Sequence, residues 1–502
     1  MKKIIQLSIA KLSGILLLAM VIAGCSDSIL EEEPRTFLSQ DAVFSSRSGA
    51  LAATSGVYQP WGNNNLYGWW LLGNLELTSD YIYGRGSQSP VSRYLLDATS
   101  VIRMGNIWRG GYQVINRANI VVDQLENNEI PNVDAALKNR LIGEAKFNRA
   151  LAYFHLVRLF GDLPLRTAPE TNVDNLDIGR SPEADVYAQI IEDLEFGENN
   201  LPESYPASEL GRATSWAATS LLSKVYLTRG NWAQAAAKAK EVMDSGMFSL
   251  LEVNEPTDWQ KMFGPTVDTH PEEIFSLKHA RISGLGFGPL WLMHRAGSGY
   301  SLGGNAHAWF GNFGSWLGEW VEEIDKPDGD MRAKDWCYNG PEDEQFLSSE
   351  IPMLFKKFRD TESDPPGNDF PVIRYTEIVF IFAEATAMEN DSPTPEAYEA
   401  VNMIRRRAFG RDMNEPAPGI DMPEGLSASE FQDEVLLERA KEFIMEGKRW
   451  YDLLRTGKTI EVISASGEGK SAIEEKHLKW PIPAEEIDNN ELMSQADQNP
   501  GW

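Results

Sequence analysis

Residues 212–246 read RATSWAATSLLSKVYLTRGNWAQAAAKAKEVMDSG. Two stretches of helical period flank Gly230-Asn231, a dipeptide suited to a tight turn. Small residues (Ser223, Ala235 and Ala239) fall where two helices would touch, while Tyr226, Trp232 and Val242 fall where a further helix would have to be met. The stretch is therefore expected to be an antiparallel helix pair with an apolar outer face that its own two helices cannot cover.

Spacing of this kind matches a tetratricopeptide unit, and such units stack in threes or more because each buries its apolar face on the next. The chain offers partners. In EAKFNRALAYFHLVRLFGDLPL (144–165), Phe147, Ala150, Leu151, Phe154 and Val157 form one stripe that Gly161 and Pro164 end. Helices are expected at 135–160, 182–199, 371–389, 395–409 and near 41–58. A long one is expected over FQDEVLLERAKEFIMEGKRWYDLLRTG (431–457), with Leu436, Ala440, Phe443, Gly447, Trp450 and Leu454 as a continuous seam. Gly447 inside a helix costs about 1 kcal/mol relative to Ala, which points to close packing there. The fold expected is mainly all-α, a tetratricopeptide-like scaffold of helix pairs.

Two regions break the helical pattern. Residues 59–110 carry Trp61, Trp69, Trp70 and Trp108 among Gly and Asn. Residues 284–318 hold ten glycines in thirty-five positions and overlap HAWFGNFGSWLGEW (307–320), in which five of fourteen residues are aromatic. Both are expected as long irregular loops, and long ordered loops in compact proteins are commonly functional. Sugar rings present flat C–H faces that stack on Trp and Tyr, while their hydroxyls need polar partners. The stacking argument selects Trp291, Tyr300, Trp309, Trp316 and Trp320 with Asn305, Asn312 and Arg295, joined by Trp61, Trp69 and Trp70.

The 502 residues exceed one ordinary hydrophobic core, so a scaffold with an added loop-rich lobe at about 255–370 is expected. Net charge is 46 − 74 = −28, which disfavours nucleic acid and anionic lipid as partners. Lys2, Lys3 and Lys11 precede the apolar run Ile15–Ile22, too short to span a bilayer and of secretory form. It ends at Ala23-Gly24-Cys25, and VIAGC resembles a bacterial lipobox in which the Cys is acylated. Residues 1–24 are thus read as a lipoprotein signal peptide and 25–35 as a lipidated acidic tether. Cys337 then remains alone, so no disulfide within the chain is expected.

Catalytic and metal readings find little support. Gly299-Tyr300-Ser301-Leu302-Gly303 matches G-x-S-x-G but lacks a strand before and a helix after, leaving a secreted esterase as a minor alternative. His270, His279, His294 and His307 cluster in sequence without converging spacings, and DKPDGD (325–330) breaks a calcium loop at Pro327. No catalytic residue, metal or cofactor is expected.

The lipobox, TFLSQDAVFSSRSGALAATSGVYQPW (36–61), residues 144–165 and 212–246, Asp330-Met331-Arg332, PVIRYTEIVFIFAEA (371–385), IRRRAFG (404–410), ERAKEFIMEGKRWYDLLRTGK (438–458) and KWPIPAEEIDNNELMSQADQNPGW (479–502) occur in an order that resembles the SusD/RagB family of outer-membrane nutrient-binding lipoproteins of Bacteroidetes. The resemblance implies that 36–502 is one helical binding domain without catalysis, facing outward from the outer membrane. It also implies a SusC-like TonB-dependent transporter as partner, for which the protein captures oligosaccharide. Asp27 and Glu31–Glu33 are similar to the surface-export signal of such lipoproteins. A peptide-capturing member of the family is the alternative.

Overall fold

The computed structural model describes residues 39–170, 176–303 and 306–502. The signal peptide, Cys25, the tether and Asn305 lie outside these. Helix takes 53% of the structure and strand 6%, so the protein is mainly α-helical.

The scaffold runs through α1 (Arg47–Tyr58), α2 (Trp70–Leu77), α3 (Ala98–Asn127), α4 (Ala135–Phe160), α5 (Glu183–Asn200), α6 (Ser215–Thr228) and α7 (Trp232–Asp244). After the lobe come α8 (Tyr375–Glu389), α9 (Pro395–Ala408), α10 (Ala428–Glu442) and α11 (Arg449–Arg455). Their starts are chemically marked. The side chains of Asp97, Asp134, Thr214, Thr394 and Ser427 each accept a hydrogen bond from a first-turn backbone N–H of α3, α4, α6, α9 and α10. Those N–H groups have no partner within the helix, and each cap contributes about 1 kcal/mol.

Each helix packs on the next, α3 on α4, α4 on α5, α5 on α6, α6 on α7, α7 on α8 and α8 on α9. The pair at 212–246 lies in the middle of this stack. Ala217, Ala218, Ala235 and Ala239 are wholly buried between helices, as their small size requires, and Phe147, Ala150, Phe154 and Val157 of α4 are equally dry. Burying one such Phe or Val contributes about 1.5–3 kcal/mol.

Three expectations need correction. Within 59–110, residues 70–77 are helix α2 and residues 98–110 are the first turns of the thirty-residue α3, not loop. Gly111 in α3 disguised it, yet serves it: a Cβ there would lie 2.8 Å from Leu156 Cδ1 of α4, so glycine sets the α3–α4 approach. Residues 370–374 form a buried strand, β6 (Phe370–Arg374), paired antiparallel with β4 (Glu273–Leu277) rather than opening a helix, since Pro371 cannot donate and Val372 and Ile373 favour extended backbone. Finally, the helix expected over 431–457 is two helices. α10 ends at Glu442, the chain turns through Met445 (φ 64°) and Gly447 (φ 68°), and α11 begins at Arg449. Leu436, Ala440, Phe443 and Trp450 of the seam are buried and Leu454 is half-buried, but they lie on both sides of a turn.

That turn is shaped by charge. Arg332 Nη1 (2.9 Å), Arg374 Nη1 (2.9 Å) and Arg407 Nη2 (2.7 Å) all donate to the Glu442 carboxylate. Arg332 also reaches Asp330 and Glu438, Arg374 reaches Glu272 and Glu446, and Arg407 reaches Glu272. Lys357 Nζ donates to Glu446 Oε1 (2.6 Å) and to the carbonyls of Glu442 (2.9 Å) and Ile444 (3.2 Å). The last carbonyls of α10 have no helical donor and carry the negative end of its dipole, so a cation is the partner they require.

Gly447→Ala should lower stability by about 1–3 kcal/mol in thermal melts. An L residue is strained at this φ, and its Cβ would stand 3.2 Å from Leu72 Cδ1 and 3.3 Å from Leu75 Cδ1. Acid should also unfold the protein early. Burial would raise the Glu438 carboxyl, but Arg332, Lys441 and Arg405 outweigh it and hold it near 2, and Arg407, Arg374 and Arg332 likewise depress buried Glu442. Below the ordinary Glu value of about 4.3 the unfolded chain takes up protons that the folded one refuses. Stability is then complete above about pH 5 and drains toward pH 2, a decline that Tm against pH would follow and that Glu438→Gln should flatten.

Candidate functional site

The two aromatic segments meet in space. β1 (Ile82–Gly84) pairs antiparallel with β5 (Trp309–Gly311) in the register Ile82 to Gly311, Tyr83 to Phe310 and Gly84 to Trp309. Directly paired residues share a sheet face and neighbours along a strand do not. Tyr83 and Phe310 therefore stand together on one face, their ring centroids 5.8 Å apart, while Ile82 and Trp309 enter the core on the other.

Backbone bonds hold this ribbon in place. Arg85 N donates to Ala308 O (2.7 Å), Gly311 N to Met353 O (2.9 Å) and Asn312 N to Tyr81 O (2.7 Å). Facing Tyr83 and Phe310, residues 345–352 build a second wall around a tight turn in which Ser348 and Ile351 exchange both backbone hydrogen bonds at 3.0 Å. Arg295 Nη1 donates to Phe346 O (2.7 Å) and fastens that wall. Between the walls lies a cleft of about 800 Å³, a volume suited to several sugar units.

Polar and aromatic groups both line it. Tyr83 is half-buried and Phe313 is 42% exposed, while Arg85, Arg93 and Arg295 contribute guanidinium groups and Ser348 and Ser349 hydroxyls. The Arg93 guanidinium carbon lies 5.1 Å from the Tyr83 ring centre. Burial raises the Tyr83 phenol above its ordinary value against the opposing pull of Arg93, so at neutral pH it is an uncharged hydroxyl able to donate and accept. A smaller cleft of about 380 Å³ between Arg212, Lys278 and Leu285 offers Tyr58 and the His279 imidazole as flat rings, the first donating to Glu144 and the second packed edge-on against Phe287.

Of the residues selected from sequence, Arg295 and Asn312 line the large cleft. Asn312 serves structure there: buried, its amide donates to Asp80 O (2.7 Å) and Ser466 O (2.9 Å). Trp309, Trp320 and Trp61 are corrected as stacking platforms, being 0%, 4% and 1% exposed. Trp61 Nε1 donates to Asn148 Oδ1 (2.8 Å), and Trp320 Nε1 donates to Asp330 Oδ2 (2.9 Å). An indole's large apolar area is worth most when dry, and the scaffold uses these three that way.

Trp69, Trp70, Trp291, Trp316 and Tyr300 are half-buried and outside the cleft wall. Trp70 packs edge-on against Trp69 and beneath Arg103, and Trp316 leans on Tyr81 and Trp320. The Tyr300 hydroxyl donates to Asp343 Oδ1 (3.0 Å). Sequence reading missed Tyr83, Arg85, Arg93, Phe310 and Phe313. Period-two alternation in YIYG (81–84) and WFG (309–311) was the available signal, in runs of three or four residues that glycine-rich surroundings concealed.

Ser301 is no nucleophile of the expected form. It is 8% exposed, its hydroxyl donates to Gly303 O (3.1 Å), and no strand–turn–helix surrounds it. His294 is spent between Tyr338 Oη and Phe358 O, at 2.9 and 2.8 Å, and burial pushes it down to about 4. Among the described residues no cluster of His, Cys, Asp or Glu could hold a metal ion. Asn312→Ala would strip two buried carbonyls of their donor and should lower stability by about 1–3 kcal/mol in a denaturant titration.

Residues 86–227 match a family model described as starch-binding associating with outer membrane, and residues 336–502 match that of the SusD family. The chain is similar to SusD-like protein P25 of Formosa agariphila, 25% identical with 97% of this chain and 98% of that protein covered. In structure it resembles a SusD homolog from Bacteroides thetaiotaomicron (TM-score 0.77, 23% identity, 94% and 100% covered). It also resembles a laminarin-binding SusD-like protein (TM-score 0.73, 23% identity, 91% and 100% covered).

Proposed function

Because this chain belongs to the SusD/RagB family, we propose that it captures oligosaccharides in the cleft walled by β1, β5 and residues 345–352, without altering them chemically. The juxtaposition of half-buried Tyr83, backed by buried Phe310, and exposed Phe313 carries the reading. Two accessible rings with arginine and serine groups beside them offer stacking for pyranose faces and hydrogen-bond partners for hydroxyls. The solved laminarin-binding neighbour gives the same reading support from likeness.

Around this activity we place the rest of the sequence argument. Acylation at Cys25 would hold the protein on the outer membrane, facing outward, above a SusC-like TonB-dependent transporter that receives the glycan. Among the described residues no helix is long and apolar enough to cross a membrane, which is compatible with attachment by lipid. Peptide capture has less support. A bound peptide needs free backbone partners, and the walls spend theirs on the β1–β5 pairing and the Ser348–Ile351 turn.

Stacking contributes about 0.5–1.5 kcal/mol per ring, so affinity in the high-micromolar range is expected. Tyr83→Ala and Phe313→Ala should each weaken binding about tenfold in calorimetric titrations against a glycan panel, with Tm unchanged for exposed Phe313 and somewhat lowered for Tyr83, whose ring packs on Phe310. If neither affects a glycan that the parent binds, the cleft is not the binding site.

A further inference from the structure

The cleft runs against the composition of the protein. With 74 acidic residues to 46 basic ones, a cleft rich in carboxylates would be unremarkable in this chain. Its walls instead carry Arg85, Arg93 and Arg295 against one carboxylate, Glu350 at the rim. Elsewhere buried arginines such as Arg332, Arg374, Arg407 and Arg449 are paired with Asp or Glu. Among the described residues no carboxylate pairs with any of the three in the cleft. Arg85 is exposed, Arg93 spends Nε on Ser89 Oγ (3.2 Å), and Arg295 spends one Nη1 bond on Phe346 O.

A guanidinium has five N–H donors in a rigid fork, and each of these arginines keeps most of them available. The fork fits a carboxylate or sulfate with two parallel, charge-assisted bonds. Arg93 lies over the Tyr83 ring, so a sugar stacked beside it would bring an acidic substituent within reach of Arg93.

We propose that the ligand of this cleft is an anionic oligosaccharide, its sugars bearing carboxylate or sulfate groups held by Arg85 and Arg93 beside the Tyr83 platform. The inference rests on the cleft being the glycan site. Long-range charge supports nothing here, since a chain of net −28 repels polyanions. Any preference for charged sugar must therefore come from these local groups.

The test uses the full-length protein in calorimetric titrations with two matched pairs, an oligogalacturonate and its carboxyl-reduced neutral form, and a dextran sulfate oligomer and plain dextran. At least one charged ligand should bind tenfold or more tighter than its neutral twin, and which pair responds separates carboxylate from sulfate. Arg85→Gln with Arg93→Gln should cost that ligand tenfold or more while Tm holds. Arg93→Lys should fall between, keeping charge but losing the fork. Equal affinity for charged and neutral twins, indifference to the double substitution, or no binding of either charged ligand at millimolar concentration overturns the anionic assignment. Loss of neutral-glycan binding in Tyr83→Ala would, in that event, leave the cleft standing as a sugar site. Indifference to Tyr83→Ala as well would remove both.

Discussion

The carboxylate of Glu442 receives three arginines that arrive from different parts of the chain, and that meeting ties residues 330–357 to the helices. Arg332 comes from the lobe, Arg374 from the end of β6 and Arg407 from α9. Counted together, Asp330, Glu272, Glu438, Glu442 and Glu446 face Arg332, Lys357, Arg374, Arg407 and Arg405, five negative groups and five positive ones. A buried network of this kind contributes less net stability than its contacts suggest, because ten ions must be dehydrated to form it. Its geometry is demanding, however, and breaking one partner leaves another uncompensated at a cost of about 3–5 kcal/mol. Here the network ties Arg332 and Lys357 to α10 and to the turn that follows it.

To the cleft the lobe supplies β5, Arg295 and the wall at 345–352, whereas β1, Arg85 and Arg93 belong to the N-terminal part of the scaffold. Neither portion walls the cleft alone. Tryptophan divides its work accordingly: Trp61, Trp309 and Trp320 are inside, and Phe313 faces the solvent.

Much of the scaffold was legible in sequence because helical periodicity is local. The stripe from Phe147 to Val157 and the pair around Gly230 need only neighbouring residues to be recognised, and both stand as read. The break between α10 and α11 was illegible for the opposite reason. Its cause is the set of cations at Arg332, Lys357 and Arg374, remote in sequence from Glu442. The site shares that difficulty. HAWFGNFGSWLGEW does border the cleft, but which of its rings face outward depends on pairing with Tyr83, more than two hundred residues earlier. Counting aromatics favoured indoles over Phe313, and the solvent-facing choice went the other way.

The Ser348–Ile351 turn closes its own backbone hydrogen bonds, and the β1–β5 ribbon does likewise. Side chains projecting from them, among them Arg85, Phe313 and Ser349, carry little of the framework's cohesion, and exposed positions of that sort tolerate exchange within about 0.5 kcal/mol. Under the proposed function, a change of ligand would require redrafting only a handful of projecting groups, and the helices beneath would register no change.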